Sequence, residues 1–211
     1  PEWLTACDWY MKADADSFVN VPVLQERLRC FDPSQPWFLG VPQVAFGTSG
    51  SMQRFASGGA GYLLSRALLP KAAAWAPFCL LEMLQHLGGS GMEDVALAGC
   101  LWKWGRVAVT SYADPETEMV TSEAAANRTR IAHKAGDGPL NVSPCTFVVH
   151  SVTPEELPIV RENIARAREA DPDRQCRPDA ARLQHLGQTI LAPLTGSPEQ
   201  QWPVYTDGEL A

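Results

Sequence analysis

Apolar and polar positions change over in short runs that read as alternating strands and helices of an α/β domain. Trp9, Tyr10 and Met11, followed by Lys12 and Ala13, make a brief aromatic run that stops at Asp14-Ala15-Asp16-Ser17. That break predicts a buried strand over residues 9–13 with two carboxylates at its C-terminal end, where ligands gather in α/β sheets. Asn20 can cap a helix over 21–30, with Pro22 in the first turn, Val23, Leu24 and Leu28 on one face, and Asp32-Pro33 ending it. Residues 37–41 read as a second buried strand, and 43–52, with their Gly, Ser and Thr, as a loop.

Farther along, Phe55-Ala56-Ser57-Gly58-Gly59-Ala60-Gly61-Tyr62 places three glycines among four residues just before an apolar run. Main chain without side chains can lie close to a ligand there. Ser65 can cap a following helix, and Pro70 and Pro77 are expected to break the Ala/Leu-rich stretch up to 87 into shorter pieces. Ser90-Gly91-Met92-Glu93 matches a capping box. It places Glu93 and Asp94 in the first turn of a helix with Val95, Leu97, Leu101 and Trp102 among its apolar residues and Gly105 at its end, before a strand over 106–110. Residues 111–144 lack a sustained period and read as a long excursion with at most a short helix. Strand character returns over 145–149, ends at His150, and gives way to a helix reaching residue 170 that opens on Thr153-Pro154-Glu155-Glu156. The proline-containing last forty residues read as peripheral, and no solenoid repeat is present.

Composition narrows the classes. The 211 residues are 45% hydrophobic and 19% charged, which fits a globular domain and excludes global disorder. With a net charge of −7 and no Lys/Arg cluster longer than two residues, a nucleic-acid partner is not expected. Apolar stretches such as 72–81 fall short of a bilayer span, so the chain itself is expected to be soluble. It starts at Pro1 rather than Met and reads as a fragment or processed product. The six cysteines include no C-x-x-C pair, which leaves disulfides or buried thiols rather than a zinc site. Two N-x-S/T triplets, at Asn127 and Asn141, join the even cysteine count in favouring the secretory pathway.

The clearest candidate chemistry is Asp14-x-Asp16. Two hard oxygen ligands at a strand end suit Mg²⁺ or Mn²⁺ bridging the phosphates of a nucleotide. The same pair also fits an ordinary surface turn, but the strand-like aromatic residues before it place the carboxylates at the rim of a core.

Four ordered blocks resemble the Fringe and core 1 galactosyltransferase group, inverting beta-1,3-glycosyltransferases with a GT-A fold. They are Asp8-Trp9-Tyr10-Met11-Lys12-Ala13-Asp14-Ala15-Asp16-Ser17-Phe18-Val19, the glycine-rich 55–62, Met92-Glu93-Asp94-Val95-Ala96-Leu97-Ala98-Gly99-Cys100, and Thr146-Phe147 with His150 before Pro154-Glu155. The third is closer to the core 1 enzymes than to Fringe. The resemblance spans 8–156, about seven-tenths of the chain. It implies a Rossmann-like mixed sheet flanked by helices, lacking the N-terminal nucleotide-binding strands. Residues 1–170 would be the C-terminal part of the catalytic domain and 171–211 an extension.

By the same resemblance, Asp16 coordinates a metal, Asp14 holds a metal-bound water or the ribose, and His150 completes the ligand set, with His133 as its rival. Asp94 is the catalytic base. Ser57, Gly58, Gly59 and Ala60 lie against donor or acceptor sugar, with Glu93 beside them. Trp102 or Trp104 can stack on the acceptor, and a Cys79–Cys100 disulfide is implied. Each has a structural alternative: His150 and Trp102 as core residues, Gly58-Gly59 as a bare turn, and Glu93-Asp94 as a complement to the helix dipole with Glu93 as cap.

The resemblance implies a Mn²⁺- or Mg²⁺-dependent transfer of a hexose, above all galactose from UDP-galactose, to the 3-hydroxyl of a glycan or glycoprotein acceptor such as O-linked GalNAc. UDP-GlcNAc, UDP-GalNAc and UDP-glucuronate are alternative donors. A non-catalytic chaperone or glycan-binding relative is the competing class. Golgi or endoplasmic-reticulum residence is implied, as a type II protein whose anchor lies outside this chain, and a homodimer is compatible with it.

Overall fold

A computed structural model describes residues 6–46, 52–86, 92–111, 119–120, 143–150 and 152–176. Thirteen elements follow one another there: β1 Trp9–Lys12, β2 Phe18–Val19, α1 Val21–Leu28, β3 Phe38–Gly40, β4 Pro42–Phe46, β5 Met52–Ala56, β6 Tyr62–Ser65, α2 Leu69–His86, α3 Glu93–Gly105, β7 Val109–Ser111, β8 Met119–Val120, β9 Val148–Val149 and α4 Leu157–Ala170. The principal sheet has the order β1-β6-β3-β7, antiparallel except for the parallel β3–β7 pair. A smaller sheet runs β2-β9-β8, and β4 and β5 form a hairpin. This mixed sheet flanked by helices is the GT-A-like α/β arrangement expected.

The period-two alternation of the strands splits the core into two layers. Leu39 and Leu63 face Val23, Leu24 and Leu28 of α1, together with Phe31 and Phe147. Phe38, Tyr62 and Leu64 point the opposite way, against Val95, Ala98 and Leu101 of α3 and Ala72 of α2. In the β1–β6 register Met11 lies opposite Leu63 and Lys12 opposite Tyr62. Met11 packs against the α1 layer, and Lys12, one residue on, belongs to the α3 side.

Several elements differ from the sequence expectations for identifiable reasons. β1 is half-buried because it is an edge strand. Residues 43–46 and 52 are strand rather than loop, because they pair in the β4–β5 hairpin; 47–51 lie outside the described residues. Asn20 precedes α1 but makes no side-chain cap: its Nδ2 donates to the Thr146 carbonyl at 3.2 Å, and its backbone N–H to Phe147 at 2.7 Å. Ser65 caps no helix. It is fully buried at the end of β6, donating to the Gln35 carbonyl at 2.6 Å and accepting from the Trp37 N–H at 2.9 Å.

Proline does not break α2. Pro70 occupies the first turn, where an N–H needs no helical partner, and Pro77 sits inside a continuous helix. A disulfide between Cys79 and Cys100 ties that helix to α3, as the family resemblance implies. Arg106 closes α3 in the left-handed region, φ 53°, so β7 starts at Val109 rather than 106. The Thr153–Glu156 cap forms, the Thr153 N–H donating to Glu156 Oε2 at 2.7 Å. Residues 154–156 are a turn, and α4 proper starts at Leu157 with Pro158 in its first turn. A second disulfide joins Cys145 and Cys176.

Candidate active site

The β2–β9 pairing, not sequence proximity, assembles the site. Phe18 lies opposite Val149, and the Val152 N–H donates to the Asp16 carbonyl at 2.7 Å, so His150 is drawn over the turn that follows β1. That turn is closed by the Ser17 N–H on the Asp14 carbonyl at 3.1 Å. His150 Nε2 stands 3.4 Å from Asp16 Oδ1 and 3.7 Å from Asp14 Oδ2. Ligand-capable atoms of the three residues all lie within 4.8 Å of one another.

These residues fit a divalent cation. The carboxylate and imidazole atoms converge without closing into short hydrogen bonds, and their O,O,N character suits Mn²⁺ or Mg²⁺. The His150 side chain is largely buried, and its Nδ1 has no hydrogen-bond partner among the described residues. Packing therefore orients the ring and leaves Nε2 turned to the carboxylates.

The glycine-rich turn does more than approach a ligand. A Cβ on Gly59 would stand 2.5 Å from His150 Nδ1 and 2.6 Å from Nε2, so the imidazole occupies the space a side chain would take. At Gly58 a Cβ would stand 2.8 Å from Lys12 Nζ, 3.1 Å from Glu93 Oε1 and 3.3 Å from Asp94 Oδ2. Gly61, with φ +77°, takes the conformation glycine permits and closes the turn through its N–H to the Gly58 carbonyl at 3.0 Å. Ser57 and Ala60 are buried in the same turn, where the Ala60 N–H reaches Ser57 Oγ at 3.5 Å. Ser17 Oγ donates to the Gly59 carbonyl at 2.8 Å, fastening the turn to the Asp-x-Asp segment.

Asp94 stands in the first turn of α3, half-buried. Its Oδ2 accepts the Gly58 N–H at 2.9 Å and its Oδ1 the Val95 N–H at 2.8 Å. Glu93 is not the cap that was expected. Met92 holds the N-cap position without a side-chain cap bond, Ser90 lies outside the described residues, and Glu93 Oε1 instead pairs with Lys12 Nζ at 2.6 Å. Lys12 also holds Asp14 Oδ1, at 2.5 Å, and its ammonium lies 5.7 Å from the centre of the Tyr62 ring.

Two groups beside the site are held away from their ordinary values. Burial acts against the Lys12 charge, but hydrogen bonds to Asp14 and Glu93 and their negative charges outweigh it and hold the ammonium above the ordinary lysine range. Burial, reinforced by the Glu93 charge, pushes the Tyr62 phenol up to about 12.

Asp14, Asp16, His150, Ser57, Gly58, Gly59, Ala60, Glu93 and Asp94 thus come together. Trp102 does not join them, nor is it core. It is 42% exposed, eight residues along α3 from Asp94, with Arg106 over its ring at 5.6 Å, because Ala98 and Leu101 take the buried face. Trp104 packs on Phe78 at 5.5 Å, and His133 lies outside the described residues. Lys12, Ser17 and Tyr62 were not singled out from sequence. A cation at the end of the strand two residues before Asp14, close enough to pair with it, was the available signal for Lys12.

A mixed sheet carrying an Asp-x-Asp turn, a glycine-rich turn and an acidic helix start defines a GT-A-like domain. Residues 3–113, more than half of the chain, match the family described as Fringe-like, and the protein belongs to that family. Chondroitin sulfate synthase 3 of Mus musculus is 29% identical over 111 residues, 49% of this chain and 12% of its own. Fringe glycosyltransferase of Drosophila melanogaster is 36% identical over 75 residues, 30% of this chain and 18% of its own. Glycoprotein-N-acetylgalactosamine 3-beta-galactosyltransferase 1 of Xenopus laevis is 30% identical over 106 residues, 50% of this chain and 27% of its own. The chain therefore spans well under a third of the length of these relatives.

Proposed function

We propose that this protein takes part in metal-dependent, inverting glycosyl transfer from a UDP-sugar to a hydroxyl of a glycan or glycoprotein acceptor. The observation that carries the reading is the convergence of Asp14, Asp16 and His150 at one end of the glycine turn with Asp94 bonded to the other end. This arrangement supports the reading because a single displacement needs both a stabilised leaving group and a base, and the candidate residues for each flank the same glycine turn.

Asp14, Asp16 and His150 are the residues that would hold Mn²⁺ or Mg²⁺. A cation there supplies positive charge to the departing diphosphate. Asp94 acts as the base: as the acceptor oxygen bonds to the anomeric carbon, its proton passes to the Asp94 carboxylate and the bond to the diphosphate breaks. The Gly58 and Val95 N–H groups hold that carboxylate, each oxygen keeping a further lone pair. Gly58 and Gly59 are buried, and their part in this reading is to hold Asp94 through the Gly58 N–H and to make room for the His150 ring at Gly59.

Galactose from UDP-galactose, moved in beta-1,3 linkage to O-linked GalNAc, is the donor and acceptor pair we favour, on the likeness of the acidic helix start to core 1 enzymes. UDP-GlcNAc, as used by Fringe-type enzymes, is the second donor to test. Golgi or endoplasmic-reticulum residence follows from the same reading. No helix among the described residues is long and apolar enough to cross a membrane.

Calorimetry of UDP binding with and without Mn²⁺, on this chain and on Asp16→Ala, tests the donor site. Mn²⁺-dependent binding that Asp16→Ala loses is expected. Binding indifferent to metal, or equal in the variant, would overturn the assignment of Asp16.

A further inference from the structure

The ammonium of Lys12 sits where three functional segments meet: the Asp-x-Asp turn through Asp14, the glycine turn through Gly58, and the first turn of α3 through Glu93. Its position is set from several sides. Register places Lys12 opposite Tyr62, whose ring lies under the ammonium at 5.7 Å. A Cβ at Gly58 would come within 2.8 Å of Nζ, so that glycine makes room for the lysine.

The pairing divides the labour of Asp14. Oδ1 is held by Lys12 at 2.5 Å, whereas Oδ2 faces His150 Nε2 at 3.7 Å. We propose that Lys12 is a positioning residue that reserves one Asp14 oxygen for itself, leaves the other to the Asp14–Asp16–His150 cluster, and ties that cluster to the helix bearing Asp94. The proposal rests on reading that cluster as a divalent-cation site. The side chains of Lys12, Asp14 and Glu93 are a third to a half exposed, so the pairs add little stability of their own, and what the ammonium contributes is position. Here one ammonium spends its donors on two carboxylates from segments about eighty residues apart.

The consequence runs against simple structural support. Removing the ammonium frees the second oxygen of Asp14 and takes a positive charge away from the cation, so Mn²⁺ should bind more tightly. A lysine that served only to brace the fold would loosen the site when lost.

Mn²⁺ titration followed by electron paramagnetic resonance, on the 211-residue chain, tests this. Lys12→Met is expected to raise Mn²⁺ affinity about threefold or more, and Lys12→Arg, which keeps the charge, to stay closer to wild type. Unchanged or weaker Mn²⁺ binding by a Lys12→Met protein with wild-type circular dichroism would overturn the proposal. Should Lys12→Met not fold, Glu93→Gln serves instead. It leaves Lys12 to Asp14 alone and should weaken Mn²⁺ binding, so unchanged or tighter binding would equally overturn it. A wild-type chain that binds no Mn²⁺ removes the cation site itself, and the role of Lys12 with it. A wild type that binds, with variants moving the wrong way, removes only the role of Lys12.

Discussion

Gly59 and Gly58 look alike in sequence but face different neighbours. A methyl group at Gly59 must displace the His150 ring, which has β9 behind it, whereas one at Gly58 meets the far end of a flexible lysine. Gly59→Ala is therefore expected to weaken Mn²⁺ binding roughly 10–100-fold, the cost of disturbing a ligand's support, and Gly58→Ala by less. Calorimetry of Mn²⁺ on the two variants checks the order. Asp94 is a separate case, because the proposed function assigns its carboxylate to the chemical step. Asp94→Asn should lower the transfer rate about 10²–10⁴-fold with UDP binding retained. Transfer at the wild-type rate by that variant would remove Asp94 as base.

At the scale of elements, α2 and α3 depend on each other. Pro77 removes a hydrogen bond from α2, yet the helix continues, and the Cys79–Cys100 disulfide, 5.3 Å between Cα atoms, links it to α3 two turns beyond Asp94. Replacing both cysteines by alanine is expected to cost about 2–4 kcal/mol in urea unfolding. The first turn of α3 keeps Lys12–Glu93, Gly58–Asp94 and the buried Val95. α1 shows how a local signal was redirected. Asn20 gave up its cap for the Thr146 carbonyl, fastening the helix start to the segment that carries His150. Propensity names the residues that can bond in this way, and packing chooses their partners.

For the molecule as a whole, the alkaline limit of stability should report the site. Tyr62 titrates near 12 against an ordinary 10.0, so the folded state holds its proton more tightly than the unfolded chain does. Its contribution is fully present below pH 10 and lost as pH rises through about 12. Lys12, raised above its ordinary 10.5 by Asp14 and Glu93, loses stabilisation in the same direction. The melting temperature should fall between pH 10 and 12, less steeply in Tyr62→Phe. Spectrophotometric titration of the wild type should show a phenol ionising late, near 12.

The strand before Asp14, the glycine turn, the acidic start of α3 and the His150 segment were all legible in the chain, because each is local: a break in periodicity, a run of glycines, an acidic pair before an apolar run. Sequence also carried the family through the order of those blocks. The partners of Asn20, Ser65 and Glu93 were not legible, since each lies among residues distant in the chain, and local preference is weaker than a buried hydrogen bond or an ion pair at a shared nitrogen. Residue types and their periodicity determined which side chains could do chemistry. Only the tertiary structure decided that β2 and β9 bring His150 to Asp14 and Asp16, and that Lys12 joins them to α3, because those contacts close loops whose register no local pattern specifies.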